Sequence, residues 1–199
     1  RLGGNFAVST AAGNKGRCDV AYGAQLTEDL VVWGDARSGG QDIYAQRLDA
    51  SGGPLGSNFP IAATSINELA PSVAYDAISH EYVVVWLEYQ EATDYDIYSR
   101  RVSAAGALAG SSFPISTAPE VQLRPELIQN RVNGEFLFVW QDFRASSYDI
   151  YGQRWIGPGS VLPTPTPTST LLPTPTPSPT LPPVTPQAWI WLPVVVKQH

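Results

Sequence analysis

Hydrophobic residues fall along this chain in short runs of two kinds, met in the same order three times. Residues 29–33, 81–86 and 135–140 are almost unbroken in Val, Leu, Phe, Tyr and Trp, the pattern of a strand buried on both faces. Residues 42–48, 96–103 and 149–155 alternate polar with apolar from an initial Asp-Ile-Tyr, which is the period of a half-buried strand. A shorter strand is predicted ahead of each pair, at 19–22, 72–75 and 126–129. After the first two pairs a Phe-Pro-Ile segment follows, at 59–61 and 113–115, where proline removes a backbone donor and favours a sheet edge. Glycine-containing turns at 51–53 and 104–106 separate the third strand from the fourth. No segment of the repeats carries a helical period.

Trp33, Trp86 and Trp140 stand 53 and 54 residues apart, and Tyr44, Tyr98 and Tyr151 stand 54 and 53 apart. Four strands in a unit of about 50 residues, with the second buried on both faces and the fourth edge-like, describe a propeller blade. These six aromatic residues are read as the structural core of the repeat. Residues 2–10 align with the fourth strands through Phe6, Phe59 and Phe113, so the chain opens on the closing strand of a unit, while the third unit runs past Trp155 without one. The expected fold is therefore all-β, with twelve strands in three blades and residues 2–10 completing one of them. The Asp-Ile-Tyr units resemble the blades of secreted bacterial β-propellers related to the TolB-type and WD40-like families, over about residues 1–155. The resemblance implies closure by a terminal strand and an extracellular or cell-surface location. It implies no particular ligand, because such propellers serve many functions.

Composition divides the chain into repeats at 1–156, a linker at 157–186 and a short apolar tail at 187–199. Ten of the 24 residues from 163 to 186 are proline and ten are Thr or Ser, which favours an extended, disordered spacer. The tail, Trp-Ile-Trp-Leu-Pro-Val-Val-Val at 189–196, is too short to span a bilayer. Of twelve basic and eighteen acidic side chains only Lys197 lies beyond residue 155, and an acidic body argues against nucleic acid as the main partner. Cys18, the single cysteine, reads as a small buried residue at the start of a strand. His80 and His199 can form neither a metal cluster nor a triad, so no cofactor or metal is expected.

The turn between second and third strands collects the candidate chemistry. Asp35, Arg37 and Asp42 bracket it in the first unit, and Asp142, Arg144 and Asp149 in the third. The middle unit has Glu88, Gln90 and Asp96 instead. Two carboxylates beside a competing arginine fit a capped turn better than a calcium site, which needs six to eight oxygen ligands. Tyr89, Tyr95, Phe143 and Tyr148 lie beside the same turns, where they could stack on a sugar or peptide. Arg47, Arg101 and Arg154 follow the repeat tyrosines by three positions. They read either as an arginine cluster of the kind sialidases use or as bidentate partners of the aspartates. The Ser-x-Asp-x-Gly-x-Thr-Trp box of sialidase blades is absent.

From these residues the expectation is a non-enzymatic, extracellular or cell-surface propeller that binds a protein or glycan on its turn face. Candidate binding residues are Asp35, Arg37, Asp42, Tyr89, Tyr95, Asp142, Arg144 and Tyr148. The alternatives are a sialidase-like glycoside hydrolase fragment and a structural segment of a larger surface protein. Three blades leave apolar faces unpaired, so the missing blades come either from a longer chain or from a homodimer closing a six-bladed ring.

Overall fold

The computed structural model describes residues 3–91 and 94–157; beyond Gly157, the expected linker and tail lie outside the described residues. The described residues contain eleven strands and no helix. Blade 1 is β1 (Lys15–Gly23), β2 (Glu28–Asp35), β3 (Asp42–Asp49) and β4 (Pro54–Ala62), antiparallel and in that order across the sheet. Blade 2 is β5 (Glu68–Asp76), β6 (Glu81–Glu91), β7 (Asp94–Ser103) and β8 (Leu108–Ser116), in the same arrangement. Blade 3 has three strands, β9 (Gln122–Asn130), β10 (Glu135–Asp142) and β11 (Asp149–Ile156), with β10 in the middle.

Antiparallel pairing follows from the short connections, and the register repeats: Trp33 is opposite Tyr44, Trp86 opposite Tyr98, and Trp140 opposite Tyr151. In blades 2 and 3 the tryptophan side of the second strand packs on the opposite side of the blade before it. Leu30, Val32, Ile43 and Ala45 of blade 1 thus share a core with Tyr82, Val84 and Trp86 of blade 2. Val83, Val85, Leu87 and Ile97 of blade 2 share a second core with Phe136, Phe138 and Trp140 of blade 3. Burying each such side chain contributes about 1.5–3 kcal/mol, so these two junctions dominate stability.

One expectation is corrected here. Residues 3–10 form no strand, and among the described residues blade 3 has three. A fourth strand needs a third strand beside it, and the segment lies instead on blade 1. The Asn58 side chain binds it there, donating from Nδ2 to Val8 O at 3.5 Å and accepting from Ser9 Oγ at 2.8 Å. Phe6 lies over the β3–β4 turn: a Cβ on Gly52, whose φ is +85°, would fall 2.7 Å from its ring. Phe59 of β4 has the same relation to Gly106 in blade 2, at 3.4 Å. The segment therefore occupies the place of a preceding blade's outer strand without the blade. Cys18 is exposed, contrary to expectation, because no blade covers that side of β1.

Candidate functional site

The expected turn residues are largely occupied with one another. Asp35 is fully buried and accepts from Trp33 Nε1 at 2.7 Å, the Arg37 amide at 3.0 Å and Arg37 Nη2 at 2.6 Å. Burial alone would raise its pKa, but the Arg37 and Trp33 hydrogen bonds outweigh that and hold the carboxyl far below the usual range. The Arg37 guanidinium lies 4.0 Å from the Tyr44 ring centroid, a cation–π stack. Blade 3 repeats the set. Asp142 accepts from Trp140 Nε1 at 2.9 Å and Arg144 Nε at 2.8 Å, and Arg144 stacks on Tyr151 at 4.0 Å. The Arg144 hydrogen bonds, working against burial, bring the Asp142 pKa down to about 2. Asp42 is buried and bonded by Ser38. Repeated tryptophan, aspartate, arginine and tyrosine thus clamp the turns of blades 1 and 3.

Blade 2 is built differently. Glu88 accepts from Gln90 Nε2 at 3.1 Å, and the buried Trp86 Nε1 has no partner. Asp96, buried and near Asp94 and Glu88 with no arginine in the turn, has its pKa pushed up to about 6, first by burial and then by those two charges. Tyr89 and Tyr95 pack on each other with centroids 5.2 Å apart, as do Phe143 and Tyr148 at 5.0 Å; Tyr148 remains half-exposed to solvent.

The second arginine series takes partners other than the aspartates suggested by the repeat. Arg47 binds Glu28 at 2.7 Å, Arg101 binds Glu81 at 2.8 Å, and Arg154 Nη2 binds Glu135 at 2.6 Å. Antiparallel pairing of second and third strands brings each arginine beside the glutamate at the start of the same hairpin. A sialidase-like arginine cluster therefore does not form from these three.

What converges is a set on the first strands. Asp19, Ser72 and Glu126 occupy one repeat position in β1, β5 and β9. Ser72 Oγ is 2.8 Å from Asp19 Oδ2 and 2.9 Å from Glu126 Oε2. Asp19 is held further by the amides of Val73 at 2.9 Å and Val20 at 2.8 Å. Arg17 of blade 1 forms an ion pair with Glu126 of blade 3. A cleft of about 360 Å³ opens beside them, lined by Arg17, Arg124, Glu126, Val139, Gln141 and Ile150. A second, of about 460 Å³, runs along the same strands past Tyr22, Tyr75, Gln129 and Arg131. The Ser72 hydroxyl has one proton and donates to one of the two carboxylates at a time. The sequence carried a signal for this set. First strands of blades surround the axis, so a polar residue recurring at 19, 72 and 126 marks it, but the motif-bearing turns drew attention away.

Among the described residues no helix is long and apolar enough to cross a membrane, and no group of three or more His, Cys, Asp and Glu could hold a metal ion. No protein-family model matches the chain, and no curated protein matches its sequence. Solved structures do match. An endo-arabinase from Bacteroides thetaiotaomicron VPI-5482 aligns with a TM-score of 0.53 and 11% identity over 79% of this chain and 62% of its own. An N-acetylgalactosamine deacetylase from F. plautii, solved with blood group B trisaccharide, aligns at 0.51 and 13% over 71% of this chain and 49% of its own. A GH43 endo-arabinanase from Bacillus licheniformis aligns at 0.44 and 14%, over 72% and 55%. The chain thus spans roughly half to three fifths of these proteins.

The all-β propeller architecture is shown by this likeness; kinship with TolB-type or WD40-like propellers in particular gains no support from it. The expectation of a non-enzyme is overturned, because the architecture is shared with an endo-arabinase. Lack of a sialidase box excludes one blade signature and leaves other glycoside chemistries open to the same fold.

Proposed function

We propose that this protein is an extracellular carbohydrate-active propeller that acts on a glycosidic bond at the axial end of its first strands. The observation that carries the reading is the pair Asp19 and Glu126, two carboxylates from different blades held on one hydroxyl beside an open cleft. Glycoside hydrolysis uses such a pair, one carboxyl protonating the leaving oxygen and the other acting as nucleophile or base. Oxygens 2.8 and 2.9 Å from a common atom are at most about 6 Å apart, nearer the ~5–5.5 Å of retaining enzymes than the ~6.5–9.5 Å of inverting ones. Asp19 is fixed by two backbone amides, and Glu126, more exposed, lines the cleft. Arg17 and Arg124 offer donors to sugar hydroxyls, and Tyr22, Tyr75 and Tyr148 offer faces for ring stacking. The likeness to an endo-arabinase and an N-acetylgalactosamine deacetylase supports a glycan as ligand class, and the Pro/Thr-rich stretch supports an extracellular setting.

The test is a panel of arabinan, galactan and N-acetylgalactosamine-containing oligosaccharides, with released sugar and its anomeric form followed by NMR. Turnover by wild type with retention, falling at least about 100-fold in Glu126→Gln and Asp19→Asn, is the expected result. Turnover unchanged in both variants would remove these residues from the chemistry, and no turnover or binding across the panel would remove the carbohydrate reading.

A further inference from the structure

The repeat lets each exposed residue be compared with its own equivalents in a covered blade. Ile43 and Ile97 are 0% exposed, while Ile150 at the same repeat position is 73% exposed. Leu30 and Val83 are likewise 0% exposed against 43% for Leu137. These residues form the side of blade 3 that, in blades 1 and 2, receives the tryptophan side of the next blade. At the other end of the arc Val20 is 56% exposed where its equivalent Val73 is 6%. Cys18 is exposed where Pro71 and Pro125 are buried. Among the described residues both halves of the inter-blade junction are therefore open, at opposite ends of the three blades.

We infer that a second copy of this chain covers both: blade 3 of each copy packs on blade 1 of the other, and residues 3–10 of the other copy add to β11 as its fourth strand. The occupant is read from continuity with junctions already formed within the chain. Leu137, Val139 and Ile150 are the equivalents of Leu30, Val32 and Ile43, which hold blade 2, and they would meet Val20 and Val31 beside Trp33, which is already buried within one copy. The strand has its place prepared, since residues 3–10 lie on blade 1 as β4 lies on blade 2. The register follows as well. Ile43 is opposite Ala62 and Ile97 opposite Ser116, so Ile150 falls opposite Ser9 of the second copy. Arg47 Nη1 donates to Ala105 O in the next blade's turn at 3.1 Å; the equivalent acceptor for Arg154, which is largely exposed, is Ser51 O of the second copy. The two junctions are identical and related by a two-fold axis along the channel, giving a closed ring of three plus three blades. This inference rests on the repeat; Val139 and Ile150 also line the cleft beside Glu126, so pairing would cover that side of it, and the mass measurement is read without reference to carbohydrate turnover.

Native mass spectrometry of the full chain at micromolar concentration should give twice the 21.5 kDa chain mass. Ile150→Glu should give the single-chain mass with β-sheet circular dichroism and cooperative unfolding retained, because Ile150 is solvent-exposed within one copy and its loss cannot empty a core. Ser9→Cys with Ile150→Cys, in a Cys18→Ser background, should form a disulfide-linked dimer on mild oxidation, directly opposed Cα atoms being about 4.5–5.5 Å apart. Cys18 of the wild-type chain should react with a thiol reagent at least about ten times more slowly than in Ile150→Glu, as a buried thiol does. A wild-type monomer, a dimer that persists in Ile150→Glu, or a disulfide-linked monomer would each overturn the inference. So would an Ile150 shielded within a monomer by residues 158–199, which would make the tail the occupant.

Discussion

In blades 1 and 3 the carboxylate two positions after the tryptophan is buried against the indole N–H and an arginine that itself rests on tyrosine. In blade 2 a glutamate replaces that aspartate, a glutamine replaces the arginine, the indole N–H is left unpartnered, and Asp96 sits among other carboxylates. Blades 1 and 3 join their second and third strands by six-residue loops, 36–41 and 143–148, and neutralise a buried aspartate there, whereas in blade 2 the strands run on to Glu91 and Asp94 and Asp96 has its pKa raised to about 6. The polar clamp therefore goes with the six-residue loop, and the blade that lacks it closes on a longer ladder.

The largest effect should come from removing the clamp's centre. Asp142→Ala leaves Arg144 and the Trp140 N–H facing a vacated buried site and should cost about 3–5 kcal/mol, whereas Glu88→Ala should cost under about 1 kcal/mol. Urea midpoints of the two variants compare them directly; equal losses would mean that the clamp adds nothing beyond the hairpin. A finer cut replaces tryptophan by phenylalanine. Trp140→Phe loses a hydrogen bond to a charged acceptor, worth about 1.5–3 kcal/mol, and Trp86→Phe loses none. Both lose similar ring volume, so the difference between their stabilities isolates the hydrogen bond.

Titration separates the blades in another way. Asp96 has a raised pKa in the folded state, so its contribution is complete below the unfolded value of about 4 and is lost as pH rises through about 6. Stability should fall by about 2 kcal/mol between pH 4 and pH 7 through this group, and Asp96→Asn should flatten that limb. Asp142 has the opposite sign, its contribution being present above about pH 4 and lost as pH falls through about 2. Thermal melts at intervals from pH 2 to 8 would read both; a flat profile from 4 to 7 in wild type would contradict the picture of Asp96. The smallest expected change is a gain. Glu88→Asp with Gln90→Arg transplants the clamp into blade 2 and should add about 1 kcal/mol by giving Trp86 Nε1 an acceptor. No gain would show that the β6–β7 turn cannot seat the arginine over Tyr98.

Blade architecture was legible because it rests on local rules applied three times. Alternation and continuous apolar runs marked the second and third strands, and the 53–54 residue period of Trp33, Trp86 and Trp140 set their number and order. Even the buried state of the tryptophans followed from the strands that carry them. The axial set was harder, because Asp19, Ser72 and Glu126 differ in chemistry and sit in the least patterned strand of each unit. Only their shared repeat position connects them, and nothing in the sequence says that a serine in blade 2 would lie between carboxylates of blades 1 and 3.

Residues 2–10 mark the boundary between the two kinds of knowledge. Their likeness to the fourth strands is a property of sequence, and in the structure Phe6 meets Gly52 as Phe59 meets Gly106 although the segment forms no strand. Whether they pair as a strand depended on a third strand being within reach. A β-ladder is made of hydrogen bonds between segments distant in sequence, and β11 lies at the far end of the arc. By itself the sequence determined the strands, the turns and the period, all of which follow from side-chain pattern over a few residues. Only the tertiary structure decided which arginine met which carboxylate, which carboxylates faced the axis and which apolar faces stayed open, because those depend on how successive sheets stack.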